Sequence, residues 1–358
     1  MADVTGRWPR AEDAARGARA RASWGENLVT ALLATVTAIG GTLDAWAHAN
    51  LGLQETFFTP WHAVLYTGFV ASSAWIALLV VRRSERGWRG LAAVPVGYGL
   101  GIVGVLTFAA GGLFDLGWHS VFGIEVGIEP LLSPPHLLLG LGGLLLESSP
   151  LRAMWAEAGS PRAPGLRALF PAVLSAALVA GDISFFLMWA SPFLQIFPAE
   201  EIGAAIAAVL ITNVIYIGTL LLLLRRWQLP FGAATFLFCF NAALTSAIVG
   251  FRTWPTLLAA LAGGVAADLL IHRLQPSPHR PVALRAFAGL TSAALWSAYI
   301  LIVWLIGALD WSVPLWSGVI ALAAGGSVAF ALLTAPPPLP AADPPQPAPL
   351  PEPVHSSR

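Results

Sequence analysis

The stretch 61-WHAVLYTGFVASSAWIALLVV-81 decides the fold. It runs 21 residues without an acid or an arginine, which matches the length of about 20 residues that a helix needs to cross a bilayer core. It ends against Arg82, Arg83, Arg86 and Arg89, the kind of basic cluster that marks the cytoplasmic end of a span. Working outward, similar apolar windows fall at 27–48 before it and at 91–115, 135–150, 168–190, 202–224, 231–250, 255–272, 284–308 and 313–334 after it. The sequence therefore predicts an all-α, polytopic transmembrane helix bundle of about ten spans over 25–334. The window at 135–150 is short unless its helix continues past Glu147.

Composition agrees. The chain is 57% hydrophobic and 11% charged, more apolar than a water-soluble domain of this size requires. Arginine placement orients it, because cytoplasmic loops collect basic residues. The leader 1–24, the loop after 81, the group Arg152, Arg162 and Arg167, the pair Arg225 and Arg226, and the group Arg273, Arg280 and Arg285 all fall on one side. Only Arg252 falls on the other, beside Glu55, Glu125, Glu129, Glu200, Glu201 and Asp310. The expectation is a bacterial inner-membrane protein with both termini cytoplasmic, an uncleaved leader and an acidic outer face that attracts cations. Residues 335–358 are rich in proline and read as a disordered cytoplasmic tail. All 19 basic residues are arginine and the net charge is zero, so no footprint for nucleic acid is present. A single cysteine, Cys239, excludes a disulfide framework and a thiolate cluster.

Two hairpins carry the same ordered set of metal-capable side chains. The first reads Asp44, His48, Glu55, Thr59-Pro60-Trp61-His62, and the second Asp115, His119, Glu129, Ser133-Pro134-Pro135-His136. In both, aspartate precedes histidine by four residues and glutamate precedes histidine by seven. We read this as an internal repeat, with hairpins at about 27–81 and 91–150. Residues four apart share one helical face, so each Asp-His pair can chelate together. Thr59 and Ser133 suit the helix N-cap, and the proline after each suits the first helical position. That places His62 and His136 in a first turn, where the positive helix end keeps imidazole neutral, the form that binds metal.

Blander explanations exist for each part: aspartates cap helices, and histidines anchor at interfaces. Duplication makes them weaker. A third pair, Asp268 and His272, sits beside Arg273 on the opposite side and is expected to be an incidental helix end. Asp182 lies inside the fifth window and is a candidate proton relay or further ligand, since an acid at membrane depth faces the bundle interior. Asn213 and Asn241 are expected to act as interhelical glue. Trp46, Trp61 and Trp118 are expected in the interfacial belt.

Histidine and carboxylate ligands without thiolate point to a divalent metal ion such as copper, iron or zinc. If the hairpins pack side by side, the eight candidate ligands converge on one pocket. The run Asp44-x3-His48-x13-His62 resembles the Asp-x3-His and later histidine that ligate copper in the C subunit of membrane-bound methane and ammonia monooxygenases, and Asp115, His119 and His136 repeat it with longer spacing. That resemblance implies copper and oxidative chemistry. The stretch from Asp115 to His136 also resembles a family of bacterial polytopic membrane proteins. Three functions follow as expectations: a membrane oxidoreductase acting on a small molecule, a metal-ion transporter or acquisition protein, and a haem-binding membrane protein. A partner subunit could complete the site.

Overall fold

The computed structural model describes residues 19–51, 58–123, 130–157, 159 and 161–333, and among them it contains helices and no strand. The helices are α1 Trp24–Asn50, α2 Pro60–Glu85, α3 Gly99–Phe122, α4 Pro134–Glu147, α5 Ser149–Trp155, α6 Leu166–Phe186, α7 Ile202–Arg226, α8 Ala233–Ile248, α9 Pro255–Leu274, α10 Pro281–Leu305 and α11 Val313–Leu333. Nine segments are long and apolar enough to cross a membrane, with α4 and α5 together making the one at Pro134–Trp155. The shorter α8, of 16 residues, corresponds to the seventh window. The chain is a multi-pass helical membrane protein. Glu55 and Glu129, most of the leader, and the proline-rich tail lie outside the described residues.

Local chemistry sets the boundaries. Ser23 and Glu26 form a reciprocal capping box at the start of α1, and Arg83 reaches back from α2 to Glu26 at 2.7 Å. The helix of the third window begins at Gly99 rather than near residue 91, because a short 3-10 turn, Gly90–Ala93, and Pro95 precede it. The short fourth window is resolved by a break. Ser148 ends α4, Pro150 enters the first turn of α5, and the pair of helices together reaches span length. Small residues let the backbones of each hairpin touch: a Cβ on Gly68 would stand 2.5 Å from the Thr37 nitrogen, and one on Gly142 2.5 Å from the Phe108 nitrogen.

Helix α6 is the pivot, packing against α1, α4, α5, α7 and α8, while α9, α10 and α11 close around α7 and α8. The arginine-bearing loops gather at one end of the bundle. There the Arg226 guanidinium donates to the Trp155 and Glu157 carbonyls, the Gln228 N–H to the Arg162 carbonyl, and the Trp24 indole to the Arg167 carbonyl. The last turns of α1 and α3 and the first turns of α2 and α4 lie at the other end.

Polar residues in the second half are tied into the packing. Asn213 of α7 donates to the Ala323 carbonyl and the Ser327 hydroxyl of α11, and accepts from the Ser292 hydroxyl and the Trp296 indole of α10. It is the interhelical glue expected from the sequence. Asp268 is buried on α9 and accepts from the Ala234 N–H, the Thr235 N–H and the Thr235 hydroxyl. It caps the start of α8 from a neighbouring helix, while His272 is exposed. The third Asp-x3-His pair thus has a structural role in its aspartate.

Candidate metal centre

In both hairpins the aspartate lies near the end of the first helix and meets a histidine from the first turn of the second. Thr59 caps α2 as expected, accepting from the His62 N–H at 3.1 Å, with Pro60 behind it. Ser133 stands at the N-cap of α4 with extended backbone, but its hydroxyl is used differently. It leaves the backbone uncapped and turns to the His136 imidazole, 2.8 Å from Nδ1. A hydroxyl at that nitrogen fixes the ring orientation and leaves Nε2 to face elsewhere.

The first triad is built on Asp44. Its Oδ2 lies 3.3 Å from His62 Nε2 and 3.7 Å from His48 Nε2. The second is built on Asp115, whose Oδ1 lies 3.4 Å from His119 Nε2 and 3.6 Å from His136 Nδ1. One ligand atom from each of Asp115, His119 and His136 falls within 4.8 Å of the other two, and among the described residues this is the group of three so arranged. Asp115 is 1% exposed, and neither of its oxygens accepts a hydrogen bond.

Those separations matter. A charge-assisted hydrogen bond draws nitrogen and oxygen to about 2.7–2.9 Å. Two ligands held at about 2.0–2.1 Å on one tetrahedral ion stand roughly 3.3–3.4 Å apart. The separations of Asp44 from His62 and of Asp115 from His119, 3.3 and 3.4 Å, sit near the second value. The His119 Nδ1 also lies 3.0 Å from the Gly123 carbonyl. A carbonyl only accepts, so Nδ1 donates to it, and Nε2 is the nitrogen on the Asp115 side.

Both triads open on one cavity of about 400 Å³, so the six described candidates, Asp44, His48, His62, Asp115, His119 and His136, share a chamber. Tyr66 of α2 stands between them. Its ring is 6.0 Å from the His62 ring, it packs against Gly112 of α3, where a Cβ would lie 3.1 Å away, and its phenol is within electrostatic range of Asp44 and Asp115. The cavity wall is otherwise largely apolar, with Phe108, Leu139, Leu178, Phe185, Phe186 and Leu244 contributing. Asp182 of α6 also lines it, together with Glu147. Trp46 and Trp61 pack edge to face beside the first triad, ring centroids 5.4 Å apart.

Sequence reasoning missed Tyr66 and Glu147. No spacing rule singles out a tyrosine one turn past His62, and Glu147 looked like the boundary of a short window. An acid at the end of an apolar run that is too short to span was the available signal.

No protein family, curated protein or solved structure matches this chain.

Proposed function

We propose that this chain is an integral membrane metalloprotein in which Asp115, His119 and His136 bind a divalent ion, with Asp44, His48 and His62 as a second position in the same cavity. The observation that carries this reading is the buried Asp115 carboxylate, which accepts no hydrogen bond yet lies 3.4 and 3.6 Å from two imidazole nitrogens. Nitrogen and oxygen donors without sulfur suit copper(II), iron or zinc. Glu55 and Glu129, seven residues before His62 and His136, are further candidate ligands.

The reaction we favour is oxidoreductase chemistry on a small apolar or amphipathic molecule. A chamber walled by phenylalanine and leucine beside the polar cluster supports it, since such a site holds an apolar substrate and needs few polar groups to orient it. The bound ion would supply Lewis acidity or electron transfer. The chain's own residues would hold it, orient it through Ser133 and the Gly123 carbonyl, and exclude bulk water. The arginine-rich end supports placing the triads toward the outer face of a bacterial inner membrane, with both termini cytoplasmic.

One observation favours a second reading, metal-ion transport: the cavity continues from the triads to Glu147 and Asp182. Elemental analysis of purified wild-type protein and of a variant with alanine at His48, His62, His119 and His136 tests the metal site. The expected result is a metal bound by wild type and lost from the variant, and equal content in both would sink the proposal. A Soret band in the wild-type absorbance spectrum would assign the histidines to haem instead. Uptake of the identified ion into vesicles separates transport from catalysis.

A further inference from the structure

Beyond the triads, the cavity carries two more carboxyl groups with a different character. Glu147 ends α4, Asp182 stands on α6, and both line the cavity wall. Glu147 is 4% exposed, and its Oε2 and the Asp182 Oδ2 are buried without a hydrogen-bond partner. A missing side chain brings them together. A Cβ on Gly143, one turn before Glu147, would stand 3.3 Å from Asp182 Oδ2, so Asp182 lies over the α4 face that carries Glu147. The Ser175 hydroxyl, seven residues before Asp182, donates to the Glu147 carbonyl and also ties α6 to α4. A third buried acceptor without a partner, Asn241 Oδ1 of α8, is 3.3 Å from where a Cβ on Gly181 would be.

Among the described residues, no positive side chain answers these acids. The cavity wall includes four carboxyl groups, from Asp44, Asp115, Glu147 and Asp182, and no arginine. Among the packed elements, α1 offers Asp44 and His48, α3 offers Asp115 and His119, and α8 offers only Cys239. His136 precedes Glu147 by 11 residues on α4, about 16 Å of helix. Glu26 of α1 is paired with Arg83. From α5, Arg152 commits its guanidinium to the Gly97 and Leu145 carbonyls and the Ser148 and Ser149 hydroxyls. Helix α7 brings no charge before Arg225 and Arg226 at its end.

Two ionised carboxylates side by side in a low-dielectric site repel strongly, and one added proton turns that repulsion into a strong O–H···O⁻ hydrogen bond. We propose that Glu147 and Asp182 hold one proton between them and form a proton-binding site in the wall of the metal cavity. Loading moves one proton from cavity water onto a carboxylate oxygen, whose O–H then donates to the partner carboxylate. Unloading returns it, and no electron or leaving group takes part. The pair is built from the cavity geometry alone and does not depend on metal at the triads.

Infrared difference spectroscopy of the full-length protein in lipid vesicles, titrated in H2O and in D2O, tests this. The expected result is a protonated-carboxyl C=O band at neutral pH that shifts in D2O and is absent from the double variant E147Q/D182N. In each of E147Q and D182N the remaining group loses its proton at lower pH than the wild-type pair, because the neighbouring negative charge is gone. Absence of the band from wild type at neutral pH, or its survival in the double variant, overturns the proposal. So does its disappearance on adding Na⁺ or Ca²⁺ with one ion bound per chain, which would make the pair a cation site. Where a variant fails to fold, the wild-type spectrum with and without those ions decides. Metal content at the triads is measured alongside, and it stays at the wild-type level in both single variants.

Discussion

Asp115 and Asp268 stand in the same local sequence pattern, four residues before a histidine near the end of an apolar helix, and each is 1% exposed. Their surroundings are opposite. Asp268 receives three hydrogen bonds from the start of α8 and is spent on holding two helices together. Asp115 accepts none, and faces imidazole nitrogens at 3.4 and 3.6 Å. Buried carboxylates are costly unless their charge is answered. In one case the fold answers it, and in the other the arrangement leaves room for an ion. The difference shows that spacing selects candidates, while hydrogen-bond satisfaction separates a structural acid from one available to bind.

Other polar residues repeat this contrast. In the α7–α11 half, Asn213 makes four hydrogen bonds and Asp268 makes three. Around the cavity, Asp115, Glu147 and Asp182 each keep at least one buried oxygen without a partner, whereas Asn241 of α8 donates across to the Ala177 carbonyl of α6.

Substitutions can break or sharpen this comparison. The largest effect is expected from Asp115→Ala, which removes the ligand shared by two histidines. Metal affinity, measured by equilibrium dialysis, should fall beyond the roughly 10–100-fold that loss of a ligand's supporting hydrogen bond costs. The metal-free variant should be at least as stable as metal-free wild type, since an unanswered carboxylate is gone. Asp268→Ala should do the reverse. It strands the donors at the start of α8 and should cost about 3 kcal/mol, read as a lower thermal midpoint in detergent, with metal content unchanged. If both aspartates lowered stability and neither lowered metal content, the distinction between them would collapse.

Smaller effects test the two N-caps. Ser133→Ala frees the His136 ring and should weaken metal binding by roughly tenfold, with little change in the unfolding midpoint. Thr59→Ala removes a backbone cap and should cost about 1 kcal/mol, a loss read in thermal unfolding rather than in dialysis. The smallest effect is expected at His272, whose ring is exposed. His272→Ala should leave metal content and stability at wild-type values, and any loss of metal there would reopen the third Asp-x3-His pair as a site.

The apolar windows were legible because span length is fixed by bilayer thickness and needs no knowledge of neighbours. Ten windows match helices or helix pairs, with α8 the shortest. The Asp-His pairs were legible because i to i+4 geometry is local. The N-cap prolines were legible for the same reason. What escaped was every feature that depends on a second helix. Asp268 caps a helix 33 and 34 residues away in sequence, and no pattern along α9 announces it. Asp182 comes beside the α4 face that carries Glu147 only because α6 crosses α4 at a glycine. Tyr66 sits between α2 and α3 beside His62 because Gly112 leaves space for its ring.

By itself, then, the sequence determined that this chain is a bundle of membrane-crossing helices and that two of its turns carry aspartate and histidine in chelating order, since both follow from distances along a single helix. Only the tertiary structure decided that the two Asp-His clusters share one chamber, that the third pair is spent on a cap, and that two further acids line the same chamber. Those outcomes depend on which helix faces which, and that is set by close packing at small residues rather than by any spacing within one segment.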